Sequence, residues 1–131
     1  MDKLPRSAAP SRGRIILYWI TTGLAVAELG VGGMWDILRL PYVRSVTEHL
    51  GYPTYFLVIL GAWKVAGAVA LLVPGFLRLK EWAYAGAFFN YTGAAASHLA
   101  TGYEISEVLV LVVLLGALIT SWALRPSDRR L

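Results

Sequence analysis

The chain has 131 residues, of which 57% are hydrophobic and 15% charged, and its mean hydropathy is +0.60. These values lie outside the range of ordinary soluble domains and indicate one integral membrane domain. The net charge is +4, but Lys and Arg gather at the chain ends and in one turn, so they indicate membrane topology rather than a nucleic-acid-binding face. The chain contains no Cys, which excludes thiol–disulfide chemistry and thiolate metal sites within it.

The first part of the chain combines a polar tail with an apolar stretch. Residues 1–14 mix Pro, Ser, Gly and charge without an apolar period, which predicts a disordered cytoplasmic tail. Residues 15–33 have the length needed to cross the hydrocarbon core and contain one charged residue, Glu28. The basic start, the apolar run and the sequence Ala25-Val26-Ala27 also fit a signal peptide with its cleavage site. A cleaved first segment therefore stands as the alternative to a first membrane span.

The rest of the chain predicts three more spans separated by turn signals. Residues 34–52 mix Trp and Tyr with charge, which is typical of a short interfacial helix, and Pro41 should interrupt it. The further spans are expected at residues 53–73, 81–99 and 105–124. A short basic cytoplasmic tail, residues 125–131, completes the chain. The predicted fold is all-α: an integral membrane four-helix bundle over residues 15–124.

The distribution of Lys and Arg predicts the orientation of these spans. Arg39 and Arg44 lie in the connections on one side of the membrane. Nine residues lie on the other side: Lys3, Arg6, Arg12, Arg14, Arg78, Lys80, Arg125, Arg129 and Arg130. Because Lys and Arg favour the cytoplasmic side, both termini are expected in the cytoplasm.

Polar side chains inside the spans are the candidates for function, because such groups are costly in lipid and mark functional sites. Glu28, Lys64 and Asn90 lie on stripes of small residues in the first three spans and are the candidates for catalytic groups. The candidates for ligand binding, most of them in the outer half of the bundle, are Asp36, Arg39, His49, Trp63 and His98. Two His residues without a ligand-spaced motif predict no metal site.

The same residues also have structural explanations. Glu28 and Lys64 are equally well explained as an ion pair that fixes the register of two helices. Asn90 is typical of a hydrogen bond between membrane helices. The small residues Gly61, Gly86 and Gly93 are expected to line close helix contacts, because small side chains let membrane helices approach each other.

Several longer motifs are more specific than any single residue. They are GGMWDILRLPYV after the first span, HLGYP before the second, LGAWKVAGAVALLVPG through it and RLKEWAYAGAFFNYTGAAASH in the third. Together they resemble the DoxX-like family of small bacterial four-helix membrane proteins, over residues 15–124. The resemblance implies a multi-pass protein of the bacterial inner membrane, and it disfavours the signal peptide because the first span belongs to the pattern. The family takes its name from a subunit of an archaeal thiosulfate:quinone oxidoreductase, which implies an association with membrane redox complexes.

Two functions of different class follow from these features. In the first, the chain is a membrane redox subunit or enzyme whose lipophilic substrate, such as a quinone, meets Glu28, Lys64 and Asn90 in a polar pocket in the outer half of the bundle. In the second, it is a noncatalytic scaffold or partner subunit whose polar core only orders the helices. The sequence requires no cofactor, although a quinone fits the first function. The expected partners are the lipid bilayer and either a membrane redox protein or a second copy of the chain, with no nucleic acid.

Overall fold

The structure is a computed structural model that describes residues 9–131, and the regular structure in this range is entirely helical. The first helical stretch consists of α1 (Arg12–Ala27), a π-helical turn (Glu28–Gly32) and α2 (Gly33–Ile37). The later elements are α3 (Pro41–His49), α4 (Tyr55–Leu72), α5 (Leu77–Thr101), α6 (Ile105–Ala123) and a 3-10 turn (Ser127–Arg129). The prediction of an all-α chain is confirmed.

The N-terminal boundary differs from the expected one. Most of the predicted disordered tail, residues 1–8, lies outside the described residues. Helix α1 begins at Arg12, inside the segment predicted as tail, because the Ser11 hydroxyl accepts a hydrogen bond from the backbone N–H of Arg14. A Ser at this position satisfies one of the unpaired N–H groups of a first helical turn and so favours an early start.

Three helical stretches are long and apolar enough to cross a bilayer: Arg12–Ile37, Tyr55–Leu72 and Ile105–Ala123. The first of these contains 26 residues and extends beyond the predicted span of residues 15–33. Helix α5, with 25 residues, has the length of a span but is not one of the three. It carries polar groups along its length, from Lys80 through Asn90 to His98.

The helices pack in a closed ring. The first stretch contacts α4 and α6, α4 also contacts α5, and α5 contacts α6. At the centre of the ring lies a core of buried apolar side chains that includes Leu29, Leu71, Tyr91 and Leu118. Large apolar side chains cover the outside, for example Phe89 and Val113, each 69% exposed, as a helical protein surrounded by lipid requires.

The three glycines expected at close helix contacts behave differently. A Cβ added to Gly61 would lie 2.5 Å from the backbone oxygen of Gly33, so this prediction is confirmed. The prediction was wrong for Gly86 and Gly93, because a Cβ at either position would meet nothing within 4 Å. Both are exposed and neither is in close contact with a neighbouring helix, so their small size leaves open surface rather than forming a contact.

Candidate functional site

A charged centre lies where the first helical stretch packs against α4. Lys64 Nζ lies 2.8 Å from Glu28 Oε1 and 3.3 Å from Asp36 Oδ2. The side chains of Lys64 and Asp36 are 10% and 7% exposed, so both are removed from the surface. The structure therefore brings together two catalytic candidates and one ligand-binding candidate. We call Glu28, Asp36 and Lys64 the charged triad.

The π-helical turn explains how Asp36 reaches Lys64. Glu28 and Asp36 are eight residues apart, which in a regular α-helix of about 100° per residue would set them about 80° apart around the axis. A π-helical turn adds about one residue to the turn, so the separation corresponds to about seven regular residues and the angle falls to roughly 20°. Both carboxylates then face α4. Regular helical spacing could not have indicated this, and the mixed aromatic and charged composition of residues 34–52 predicted an interfacial segment for Asp36 instead.

Small residues let the helices approach closely enough for the charged triad to form. A Cβ on Gly32 would lie 2.9 Å from Glu28 Oε1 and 3.0 Å from Lys64 Nζ. A Cβ on Gly33 would lie 3.0 Å from the backbone oxygen of Gly61. These glycines are therefore part of the site, because any larger side chain at Gly32 would have to displace the ion pair.

Tyr91 of α5 completes the centre. Its hydroxyl donates a hydrogen bond of 2.6 Å to Glu28 Oε2, and its side chain is 1% exposed. Each oxygen of Glu28 thus has a partner, whereas Asp36 Oδ2 is fully buried and, within residues 9–131, has no partner with hydrogen-bond geometry despite its 3.3 Å approach to Lys64. Tyr91 was not among the residues that the sequence pattern indicated. The available signal was a phenolic hydroxyl in a predicted span, since a buried Tyr usually finds a polar partner.

An apolar groove with a volume of about 380 Å³ adjoins this centre between α4 and α5. Its polar lining groups are the Lys64 side chain, the Asn90 amide and the indoles of Trp63 and Trp82, and the remainder of its lining is apolar or Gly. It extends from the level of Lys64 and Asn90 towards the α4–α5 turn. The groove therefore runs towards the end of the bundle that holds the α4–α5 turn, whereas the sequence pattern predicted a polar pocket at the other end.

The two His candidates come together at the opposite end of α5. The Tyr103 ring lies between them, 4.5 Å from the His49 ring and 5.3 Å from the His98 ring, measured between centroids. Nδ1 of His98 lies 2.8 Å from the Ala94 carbonyl oxygen. Its Nε2 is buried without a hydrogen-bond partner in the described part of the chain. Within residues 9–131, no group of three His, Cys, Asp or Glu side chains could hold a metal ion.

Helix α3 and the loop that follows it are each tied to this end of the molecule by a hydrogen bond. The Tyr42 hydroxyl donates to Glu107 Oε1 at 2.6 Å, and the Tyr52 and Ser97 hydroxyls lie 2.8 Å apart. The bond to the Glu107 carboxylate, with a smaller contribution from burial, raises the pKa of Tyr42 to about 12. The remaining candidate, Arg39, lies exposed in the loop after α2, with a φ of 50°, and is not one of the groups that contact Lys64.

A second buried polar network, which the sequence pattern also did not indicate, lies on the far side of the core. The Ser121 hydroxyl is 2.6 Å from the Thr22 hydroxyl and 2.8 Å from the Tyr84 hydroxyl. Thr22 and Ser121 are completely buried, and the three residues come from α1, α5 and α6. The network joins three helices and, unlike the charged triad, contains no ionised group.

Apolar helices that enclose buried charges, beneath an exposed apolar surface, define the class: a small helical membrane protein. The family model of the DoxX-like family matches residues 20–122, and the chain belongs to this family. The resemblance drawn from the sequence motifs is confirmed. The matched range includes the charged triad, Tyr91 and both walls of the groove. Neither a curated protein nor a solved structure matches the chain.

Proposed function

We propose that this DoxX-like protein binds a lipophilic molecule of the quinone class in the groove between α4 and α5, and acts as a membrane redox subunit or enzyme. One observation carries the proposal: the groove is apolar along its length and polar at the end formed by Lys64 and Asn90. Its volume of about 380 Å³ falls in the range of small-molecule sites, which is roughly 300–1,000 Å³. A ligand with a polar head and an apolar tail matches a groove with one polar end and an otherwise apolar lining.

The charges favour a neutral head that accepts hydrogen bonds. Lys64 has three N–H donors. The hydrogen bond to Glu28 Oε1 uses one, and even with a second directed towards Asp36 Oδ2, 3.3 Å away, one donor is left for an acceptor in the groove. The Asn90 amide supplies a second donor at the same level. An anionic head, such as a fatty-acid carboxylate, would find no unpaired positive charge there, because Lys64 is already paired with acidic groups. A quinone carbonyl accepts hydrogen bonds without bringing a negative charge.

The two exposed indoles favour access from the lipid side. Trp63 is 73% exposed and Trp82 is 71% exposed, and both line the groove. In a bilayer these side chains contact lipid tails, so a ligand dissolved in the membrane meets the groove without crossing water. Aromatic rings also stack on a quinone ring in offset or edge-to-face arrangements.

The proposal includes a topology in which α5 is a fourth span and both termini lie in the cytoplasm of a bacterial cell. The length of α5, its packing between α4 and α6 and the burial of its polar side chains Lys80 and His98 support a membrane-embedded helix. The bond from Thr22 to Ser121 favours a first helix that stays in the folded protein over a cleaved signal peptide. Reporter fusions after Leu131 and before Met1 should both report the cytoplasm, and an external N-terminus would contradict the topology.

Photoaffinity labelling tests the ligand. The full chain in lipid nanodiscs is irradiated with a photoreactive benzoquinone that carries a short isoprenoid tail, and labelled peptides are located by mass spectrometry. We expect label on the segments that contain Trp63 and Trp82, displaced by unlabelled ubiquinone-2 and not by palmitate. Label that palmitate displaces equally would contradict a neutral carbonyl head.

A matched pair of variants separates the groove from the lipid-facing surface. A Leu at Gly86 projects into the groove, whereas a Leu at Gly93, on the same helix, lies outside the groove lining. Both positions have no atom within 4 Å of an added Cβ, so neither change should disturb packing. We expect Gly86→Leu to weaken quinone binding about tenfold or more, equivalent to about 1.4 kcal/mol, and Gly93→Leu to leave it unchanged. Equal labelling in both variants would leave the scaffold function as the better account.

A further inference from the structure

The charged triad contains more acid than base. We propose that Glu28, Asp36 and Lys64 form a proton-binding site, which at neutral pH holds one proton on the pair of carboxyl groups in addition to the Lys64 ammonium. The inference concerns the protonation of these three side chains and does not depend on quinone binding. A failure of quinone binding would therefore leave this proposal unaffected, and the absence of the proton would leave the proposed function unaffected.

The charges of the triad do not balance without an added cation. With both carboxylates ionised and Lys64 protonated, the triad would carry a net charge of −1 inside the helix packing. A buried charge without a counterion is unfavourable because the surroundings solvate it poorly, and one bound cation removes this excess. One proton gives a neutral group of three.

The groups around the triad supply no second positive charge. Tyr91 of α5 faces Glu28 with a hydroxyl that donates a hydrogen bond, and it adds no charge. From α1, the residues one and two turns before Glu28 on the same side are Ala25 and Thr21, neither of which ionises. Within residues 9–131, Lys64 is the one cationic side chain within 4 Å of either carboxylate.

The space and the hydrogen bonding at the triad favour a proton over a larger cation. A Cβ on Gly32 would come within 3.0 Å of both Glu28 Oε1 and Lys64 Nζ, so little volume remains beside the ion pair. Asp36 is 5% exposed, and its Oδ2 is a buried oxygen with no hydrogen-bond partner in the described chain. A proton occupies no additional volume and converts one carboxylate into a neutral group.

Infrared spectroscopy of the full chain in nanodiscs measures this proton directly. A protonated carboxylic acid has a carbonyl stretch separate from the bands of carboxylates and of the amide backbone. We expect the wild type to show this band at neutral pH with the intensity of one group. The band should disappear in Asp36→Asn and in Glu28→Gln, because each change leaves one carboxylate paired with Lys64.

Two controls complete the experiment. Glu48→Gln changes an exposed carboxylate of α3 and should leave the band intact. Lys64→Met, which leaves two carboxyl groups and no ammonium, should double the band if the variant folds. A wild type without the band at neutral pH overturns the inference, and so does a band that persists in both single acid variants. A band that appears only when choline replaces sodium in the buffer would show that sodium, and not a proton, balances the second carboxylate in ordinary buffer. That result would also overturn the inference.

Discussion

Two buried lysines on neighbouring helices satisfy their charges in different ways. Lys64, in the middle of α4, is paired with two carboxylates. Lys80, near the start of α5, is 1% exposed and donates to backbone oxygens, to Ala70 at 2.7 Å and to Val73. The charge of Lys64 is therefore balanced by side chains that can change protonation, whereas the charge of Lys80 is solvated by backbone carbonyl dipoles that cannot.

The Lys80 arrangement is a complete cap for the C-terminal end of α4. Arg129 donates to Leu71 O at 3.1 Å and to Leu72 O at 3.3 Å, so Lys80 and Arg129 together bind the four carbonyl oxygens of residues 70–73. These are carbonyls that a helix end leaves without internal partners, and cations there are also favoured by the helix dipole. The comparison indicates that the cap has a structural role, while the charged triad retains a group that can bind or release a proton.

The largest expected effect is at the charged triad. Lys64→Met removes the one cation and leaves two buried acids, so we expect a loss of about 3–5 kcal/mol in the free energy of unfolding. Asp36→Asn and Glu28→Gln each leave a one-to-one pair with Lys64 and should cost much less. Unfolding in mixed micelles by added SDS measures the three variants. Similar losses of stability in all three variants would contradict the idea that either acid alone is enough to pair with Lys64.

The cap is expected to be the next most sensitive region. Lys80→Met leaves two backbone carbonyls of α4 without their charged donor, which should cost about 1.5–3 kcal/mol. Arg129→Met, at a more exposed position, should cost less, because water can replace its hydrogen bonds. The same unfolding measurement applies. If Lys80→Met abolished the infrared band of a protonated acid while the protein remained folded, the cap and the charged triad would not be independent of each other.

A smaller effect is expected from the backbone contact beneath the triad. An added methyl group in Gly61→Ala would lie 2.5 Å from Gly33 O and 2.8 Å from Ile37 N, so α2 must move away from α4. We expect a loss of about 1–3 kcal/mol from this overpacking, measured by unfolding. Gly86→Ala and Gly93→Ala meet open space and should instead stabilise their helix by about 0.5–1 kcal/mol. Destabilisation at all three glycines would show that α5 packs more closely than described.

The smallest effect concerns Tyr42, outside both buried centres. Its folded pKa of about 12 exceeds the ordinary value of about 10, so folding favours the neutral phenol. This contribution is present below about pH 10 and is lost as the pH rises through about 12. Tyr42→Phe should therefore lose this contribution at neutral pH, a small loss because the hydrogen bond is exposed, and should reduce the decline of stability between these pH values, as should Glu107→Gln. Unfolding measured across this range tests it, and an unchanged decline in both variants would contradict the assignment.

Sequence patterns predicted much of the fold but less of the site. Apolar runs of membrane length indicated helices that the structure contains, and the motifs identified the family. Glu28 and Lys64 stood out because ionised groups are rare in such runs. Asp36 was named as a candidate but assigned to an interfacial segment, and Tyr91 was not named. Their roles depend on which residues face each other across two helices, which composition does not record.

By itself, the sequence determined the helical membrane character of the chain, because apolar runs of this length bury their backbone polar groups in lipid only as helices or closed barrels. It also determined which charges would lie within the helices. The tertiary structure decided how those charges are satisfied. The π-helical turn rotates Asp36 towards Lys64, and the C-terminal chain returns to place Arg129 at the end of α4. Both outcomes follow from contacts between segments distant in the chain, where local periodicity carries no information.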